Sequence, residues 1–303
     1  LVGLVGSEMC IRDSIIAGAG SGKTRVLTYR YAHLIKTYGI NFENVLAITF
    51  TNKAANEMKD RISDLLNLEL SPKWISTFHS LCVKMLRIHG HLIGFNNNFT
   101  IYDQSDSTKL VRNCMRDSDI DTKQYSPKRI QAHISSLKNQ RILPGEAVEF
   151  AQSFFDVKVA EIYSSYQKKL MLANSMDFDD LLIKAVELLE TSDKSLNYWS
   201  SKFQYIMIDE YQDTNMVQYR LVELLASKHK NICVVGDSDQ SIYAFRGADI
   251  RNIEEFESDF KNAKVISLEK NYRSSQKILD IANAVISNNP RKKDKKLWTD
   301  NDE

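Results

Sequence analysis

Residues 17–24 read AGAGSGKT, and residues 203–213, far downstream, read FQYIMIDEYQD. The first stretch matches G-x-x-x-x-G-K-[ST], except that Ala17 holds the first glycine position. Gly18, Gly20 and Gly22 let the backbone bend so that successive N–H groups converge on phosphate oxygens, and a helix starting near Lys23 adds its positive end. Ala17, Gly18, Ala19, Gly20, Ser21 and Gly22 then form a cradle, and Lys23 neutralises the β- and γ-phosphates of a nucleotide. Thr24 offers a hydroxyl to Mg2+, a hard ion that takes most of its other ligands from water and phosphate. The competing reading is a glycine-rich turn without a ligand. The loop follows an apolar run and precedes an amphipathic segment, Arg25 to Lys36, and that context favours the nucleotide. The second stretch places Asp209 and Glu210 at the end of an apolar strand, where a Mg2+ carboxylate belongs, and puts Glu210 in position to activate water. Alone, the pair reads as an acidic turn after a strand; beside a phosphate loop it reads as catalytic.

Short apolar runs rich in branched residues alternate with longer segments of helical period, which is the pattern of an α/β fold with a parallel sheet flanked by helices. The expected strands are Ser14 to Ala17, Val45 to Thr51, Trp74 to Phe78, Phe203 to Asp209, Asn231 to Gly236 and Lys264 to Glu269. Each ends in polar residues, and open α/β sheets bind ligands outside the carboxyl ends of their strands. Between about His79 and Asn174 the strand signal nearly vanishes. Helical patterns replace it, such as Asp156 to Leu172 with Val159, Ile162, Tyr163, Tyr166 and Leu170 on one face. This region reads as a helical insertion between sheet strands, which lets the loop at Lys23 and the acids at Asp209 and Glu210 meet in space.

Lys plus Arg is 40 against 39 for Asp plus Glu, so affinity for a polyanion must come from local clustering and not from net charge. Cys10, Cys82, Cys114 and Cys233 are scattered without a C-x-x-C pair, so neither a disulfide framework nor a zinc site is indicated, which fits a reducing cytoplasm. His89 and His91 lack a carboxylate or thiol at ligand spacing and read as surface histidines. No apolar stretch reaches the ~20 residues needed to span a bilayer. The opening Leu1 to Ser14 has no basic start and fits the following chain poorly, so it reads as foreign or as lacking the true beginning. The basic run Arg291, Lys292, Lys293, Lys295 and Lys296 reads as a solvated face.

Taken together, AGAGSGKT, TFTNKAANEM (49–58), STFHS (76–80), DEYQDTN (209–215), VVGDSDQSIYAFRGAD (234–249) and LEKNYRSS (268–275) resemble the ordered motifs of the UvrD/PcrA/Rep family of DNA helicases, from about Ile15 to the end. The resemblance implies a RecA-like motor domain over 15–81 and 175–274, an inserted helical subdomain over 82–174, and the start of a second motor domain over 275–303, after an atypical segment 1–14. It implies ATP and Mg2+ as cofactors, single-stranded and partly duplex DNA as partners, and 3′-to-5′ translocation and unwinding in repair or replication. By the same resemblance Asp209 holds Mg2+, Glu210 is the base, Gln240 senses the γ-phosphate, Arg273 contacts it, Tyr272 packs on adenine and Arg25 helps hold the base.

Family positions for nucleic acid fall on Phe50, Asn52, Thr77, Phe78, His79, Tyr243, Phe245 and Arg246. Aromatics suit a motor that moves along any strand, since base stacking contributes ~1–3 kcal/mol without a sequence requirement. On residue type alone Phe50, Phe78 and Phe245 read as core. Phe245 stands where relatives carry tryptophan, which implies a smaller stacking surface. Nothing in Leu1 to Ser14 resembles the family's adenine-reading glutamine motif, and a second motor domain with its own arginine is expected to complete the site. Two alternatives stay open: the motor half of a helicase-nuclease, and a nucleotide- or DNA-binding module without turnover.

Overall fold

A computed structural model describes residues 12–69, 72–254, 256–260, 263–289 and 295–301. The readings of Cys10, of 1–11, and of Arg291, Lys292 and Lys293 lie outside the described residues. Among those described there are strands β1 (Arg12–Ala17), β2 (Val45–Thr49), β3 (Ile75–Thr77), β4 (Thr100–Ile101), β5 (Ser175–Met176), β6 (Tyr205–Ile208), β7 (Ile232–Gly236) and β8 (Lys264–Leu268). Six of them form one parallel sheet in the order β3-β2-β6-β7-β1-β8. Every residue of β2 and β7 is buried, as expected for parallel strands covered on both faces. All six expected sheet strands occur, with ends shifted by a residue or two. The first starts earlier than expected, at Arg12, because Asp13 is buried and meets Arg30 at 2.6 Å. That pairing draws residues 12–14 out of the segment read as atypical and into the sheet between β7 and β8.

The chain divides into two compact units. The sheet unit comprises Leu1–Phe78, Tyr198–Thr214 and Leu225–Glu303. Within it helix α1 (Lys23–Tyr38) buries Val26, Leu27, Tyr31 and Leu34, spaced along one helical face. Gly39, at φ 65°, stops the helix and returns its N–H to the Leu34 carbonyl. Helix α2 (Asn52–Leu66) begins on Thr51, whose hydroxyl accepts from the Ala54 N–H at 3.1 Å.

The second unit, His79–Asn197 and Asn215–Leu224, is mostly helical. One hydrophobic cluster joins the helix Gln104–Asp117 to α3 (Pro127–Asn139) and α4 (Phe154–Leu172), and α5 (Phe178–Thr191) buries a further apolar face. The five residues expected on one face of α4 are all buried. A short parallel pair, β4 with β5, also lies here; strands this short leave almost no periodic signal. Lys138, fully buried, reaches Asp177 and Asp180 at 2.7 Å each, and Tyr166 donates to Asp177 at 2.8 Å. Although burial opposes its charge, Asp177 and then Asp180 hold the Lys138 ammonium well above the usual lysine range. Among the described residues, no helix is long and apolar enough to cross a membrane.

Candidate functional site

The loop between β1 and α1 turns through Gly20 (φ 73°) and Gly22 (φ 88°), left-handed conformations that glycine adopts without a side-chain clash. Helix α1 has neither a capping side chain nor an acid in its first turn. Its first turn of N–H groups has no acceptor inside the helix, so its positive end faces the loop. β6 lies between β2 and β7 and delivers Asp209 and Glu210 at its carboxyl end. The Thr24 hydroxyl donates to Asp209 Oδ2 at 2.8 Å. Lys23 Nζ, on a side chain only 9% exposed, stands 3.2 Å from Glu210 Oε2 and makes no hydrogen bond. The cradle and the acidic pair, 185 residues apart between Thr24 and Asp209, thus share one place.

Burial first, and then the neighbouring Glu210, push the carboxyl of Asp209 up to about 6. The same two causes push Asp213 up to about 6. A buried ammonium without a hydrogen bond and two carboxyls crowded above their usual range form a site that an anion and a cation together would relieve. Among the described residues no three His, Cys, Asp or Glu gather as metal ligands. A cation here would take Thr24 and Asp209 and complete its shell with water and phosphate, which suits Mg2+.

Glu210 itself sits at φ 52°, ψ 43°, a left-handed conformation that costs a non-glycine residue roughly 1–2 kcal/mol. Gln212, buried, donates from Nε2 to Glu210 Oε2 at 3.0 Å and to Asp213 Oδ2 at 3.2 Å, while its Oε1 accepts the Asp237 N–H at 2.9 Å. Gly236 leaves this contact room, since a Cβ there would lie 2.6 Å from Gln212 Oε1. Asp237 accepts from Gln240 Nε2 at 2.5 Å. It also pairs with Lys295, which reaches Asp239 at 3.2 Å. The reading of the basic run as a solvated face therefore fails at Lys295, whose side chain is 7% exposed, because two acids at the end of β7 draw it inward. Lys296 is exposed as expected.

On the opposite side of the loop, Tyr272 donates its N–H to the Gly20 carbonyl at 3.0 Å. Its ring is half exposed, with Lys270 Nζ 5.6 Å from the centroid. Arg273 is exposed, its N–H held by Asn271 Oδ1 at 2.8 Å. Arg25 is exposed and lies 5.5 Å from the centroid of Tyr29.

The candidates for nucleic acid occupy several environments. Phe50 is half-buried after β2, and Asn52 is exposed at the start of α2. Phe78, at 1% exposure, packs edge-on against Phe50 with centroids 5.8 Å apart. The Phe78 ring is core and supports Phe50, as its residue type alone implied. Thr77 is buried beside it in sequence. Tyr243 and Phe245 lie 6.0 Å apart, and Phe245 is 78% exposed. The Arg246 side chain lies outside what is described. His79 belongs to the helical unit, where it meets Phe178 edge-on at 5.8 Å, and burial lowers its pKa so that the ring is neutral near neutral pH.

The family model of the UvrD/REP helicase N-terminal domain matches residues 11–261. This chain belongs to the UvrD/REP helicase family. Two similar curated proteins, each named ATP-dependent DNA helicase PcrA, come from Bacillus subtilis (strain 168) and Staphylococcus aureus (strain Mu50). They are 50% identical to it over 289 and 287 residues, in each case 95% of this chain and 39% of the relative. The chain therefore spans about two fifths of the length of these relatives. The stretch matched to the UvrD/REP family holds five of the six motif segments, and LEKNYRSS lies beyond it. Two polar residues of this UvrD/REP chain were not singled out from sequence: Gln212 and Asn271. Both lie inside the quoted motifs, but nothing in their local spacing marks an amide as a bridge rather than a surface group.

Proposed function

We propose that the parent protein is an ATP-dependent 3′-to-5′ single-strand DNA translocase and helicase of the cytoplasm, acting in repair or replication, and that this chain carries its nucleotide-binding half. The observation that carries the reading is the meeting of the phosphate loop with the acids, Thr24 with Asp209 at 2.8 Å and Lys23 with Glu210 at 3.2 Å. The relatives' name, ATP-dependent DNA helicase PcrA, supports the same reading.

In this proposal the loop N–H groups and the end of α1 hold the β- and γ-phosphates. Lys23 leaves Glu210 for the triphosphate, which frees the carboxylate. Mg2+, held by Thr24 and Asp209, would supply charge neutralisation on the phosphates. Glu210 takes a proton from the attacking water as its oxygen bonds to the γ-phosphorus and the bond to the bridging oxygen breaks, yielding ADP and phosphate. Gln212 orients Glu210. Arg273 stabilises charge developing on the γ-phosphoryl group, Tyr272 and Arg25 flank the adenine, and Gln240 links the phosphate end to the segment bearing Tyr243 and Phe245.

Phe50, Tyr243 and Phe245 offer ring faces to bases, and Asn52, Thr77, His79 and Arg246 offer polar atoms to the backbone. ATP hydrolysis measured with and without single-stranded DNA tests the proposal: strong stimulation is expected, and binding without turnover would instead favour a nucleotide-binding module. Lys23→Ala should weaken Mg·ATP binding by about 10- to 100-fold, the scale of hydrogen bonds to a charged group. Unwinding by the parent protein of duplexes with a 3′ but not a 5′ tail checks polarity.

A further inference from the structure

Asn271 is buried between the phosphate loop and the segment that carries Arg273. Its side-chain amide donates to the Ala19 carbonyl at 2.6 Å. Its Oδ1 accepts two backbone N–H groups, from Arg273 at 2.8 Å and Ser274 at 2.7 Å. Its own backbone is anchored as well: the N–H donates to the Trp298 carbonyl at 2.7 Å, and its carbonyl accepts the Thr299 hydroxyl at 2.8 Å. The neighbouring Tyr272 N–H takes the Gly20 carbonyl at 3.0 Å. A Cβ on Gly20 would lie 2.5 Å from Asn271 Nδ2, so the contact requires glycine in the loop.

We propose that Asn271 is a positioning residue of the phosphate loop, holding the Ala19 carbonyl away from the cradle while its oxygen fixes the backbone that carries Arg273. The reason lies in peptide geometry. In a trans peptide the C=O and the following N–H point to opposite sides, and no peptide bond described here is cis. Pinning the Ala19 carbonyl toward Asn271 turns the Gly20 N–H the other way, and removing the Ala19 and Gly20 oxygens from the cradle keeps two negative dipole ends off an incoming phosphate. A loop ordered before the ligand arrives binds it without first losing backbone freedom. One amide thereby sets the loop and the arginine in register, which neither could do alone across 252 residues of sequence from Ala19 to Asn271.

This inference rests on the nucleotide reading above. Its test uses the 303-residue chain titrated with Mg·ATP in a calorimeter. Asn271→Asp keeps the acceptor for Arg273 and Ser274 but sets a carboxylate oxygen against the Ala19 carbonyl. Affinity for Mg·ATP should fall at least about tenfold at neutral pH. The deficit relative to the parent chain should shrink as pH falls, because a protonated Asp can donate again. Equal affinity would overturn the proposal, as would a deficit that ignores pH and follows a lowered melting temperature. Should Asn271→Asp fail to fold, Thr299→Val loosens Asn271 without removing it; a roughly twofold to fivefold loss is expected, the scale of one neutral hydrogen bond, and no loss overturns the proposal. If the unaltered chain does not bind Mg·ATP, the nucleotide reading falls together with this one; if it binds and the variants match it, only the role of Asn271 falls.

Discussion

Phe78 and Phe245 are the same residue type with opposite fates, the one 1% and the other 78% exposed. Phe78→Ala should destabilise the sheet unit by about 3–5 kcal/mol, the usual result of emptying a buried aromatic site, seen as a lowered urea midpoint. Phe245→Ala should leave that midpoint in place and weaken single-stranded DNA binding by about 1–3 kcal/mol in a fluorescence titration. Asp209 makes a prediction about pH. Its carboxyl is raised to about 6 in the folded chain, against about 3.9 unfolded. The folded, ligand-free chain therefore holds a proton that the unfolded chain releases, and this group's contribution to stability is full below about pH 4 and lost as pH rises through about 6. A metal-binding carboxylate must be ionised, so Mg·ATP affinity should rise with pH through the same window and level off above it. Calorimetry in buffers of different ionisation enthalpy should detect proton release on binding near pH 6, where Asp209 and its neighbour Asp213 both titrate. Residue identity told a reader that these positions were aromatic or acidic; burial, which separates their roles, is not a property of the residue.

At the scale of elements, the strands were legible because a parallel sheet buried on both faces demands continuous apolar runs, as in β2 and β7. Helix α4 was legible because its buried residues recur at helical spacing. The ion cluster beneath it was not. Lys138 lies on α3, while Asp177 and Asp180 cap α5 through reciprocal bonds to each other's backbone N–H groups. Lys138→Met would leave two buried carboxylates without their cation and should destabilise the helical unit by about 3–5 kcal/mol. Part of that loss should return at acidic pH, where the carboxyls take up protons, which melting curves across pH would show. Where β7 ends, Gly236→Ala would press on Ile253 Cδ1 at 2.5 Å and on Gln212 Oε1, which lies 2.6 Å from the new Cβ. Displacing Gln212 moves the hydrogen bond that orients Glu210. Hydrolysis should therefore fall by roughly 10- to 100-fold while Mg·ATP affinity changes little, provided Glu210 acts as the proposed base.

At the scale of the molecule, the two units should respond separately to nucleotide. A ligand at about 100 times its dissociation constant stabilises the fold that binds it by ~2.7 kcal/mol. Hydrogen exchange with and without Mg·ATP should show new protection in 17–25 and 205–213 of the sheet unit, and little in α3 and α4. Uniform protection, or none, would count against the assignment of the site to the loop. The alternation of strands and helices, the phosphate loop before the first long helix and the acidic pair at the end of an apolar strand are legible along the chain, because each is written in periodicity or in adjacent residues. Which strands are neighbours is not, and from that order follow the contact of Thr24 with Asp209, the bridge of Asn271 to the loop, the inward turn of Lys295 and the burial of Phe78. The physical reason is that hydrogen bonds and burial between distant residues follow from strand order in the sheet, β3-β2-β6-β7-β1-β8, and that order is set by packing of the whole fold rather than by any local pattern.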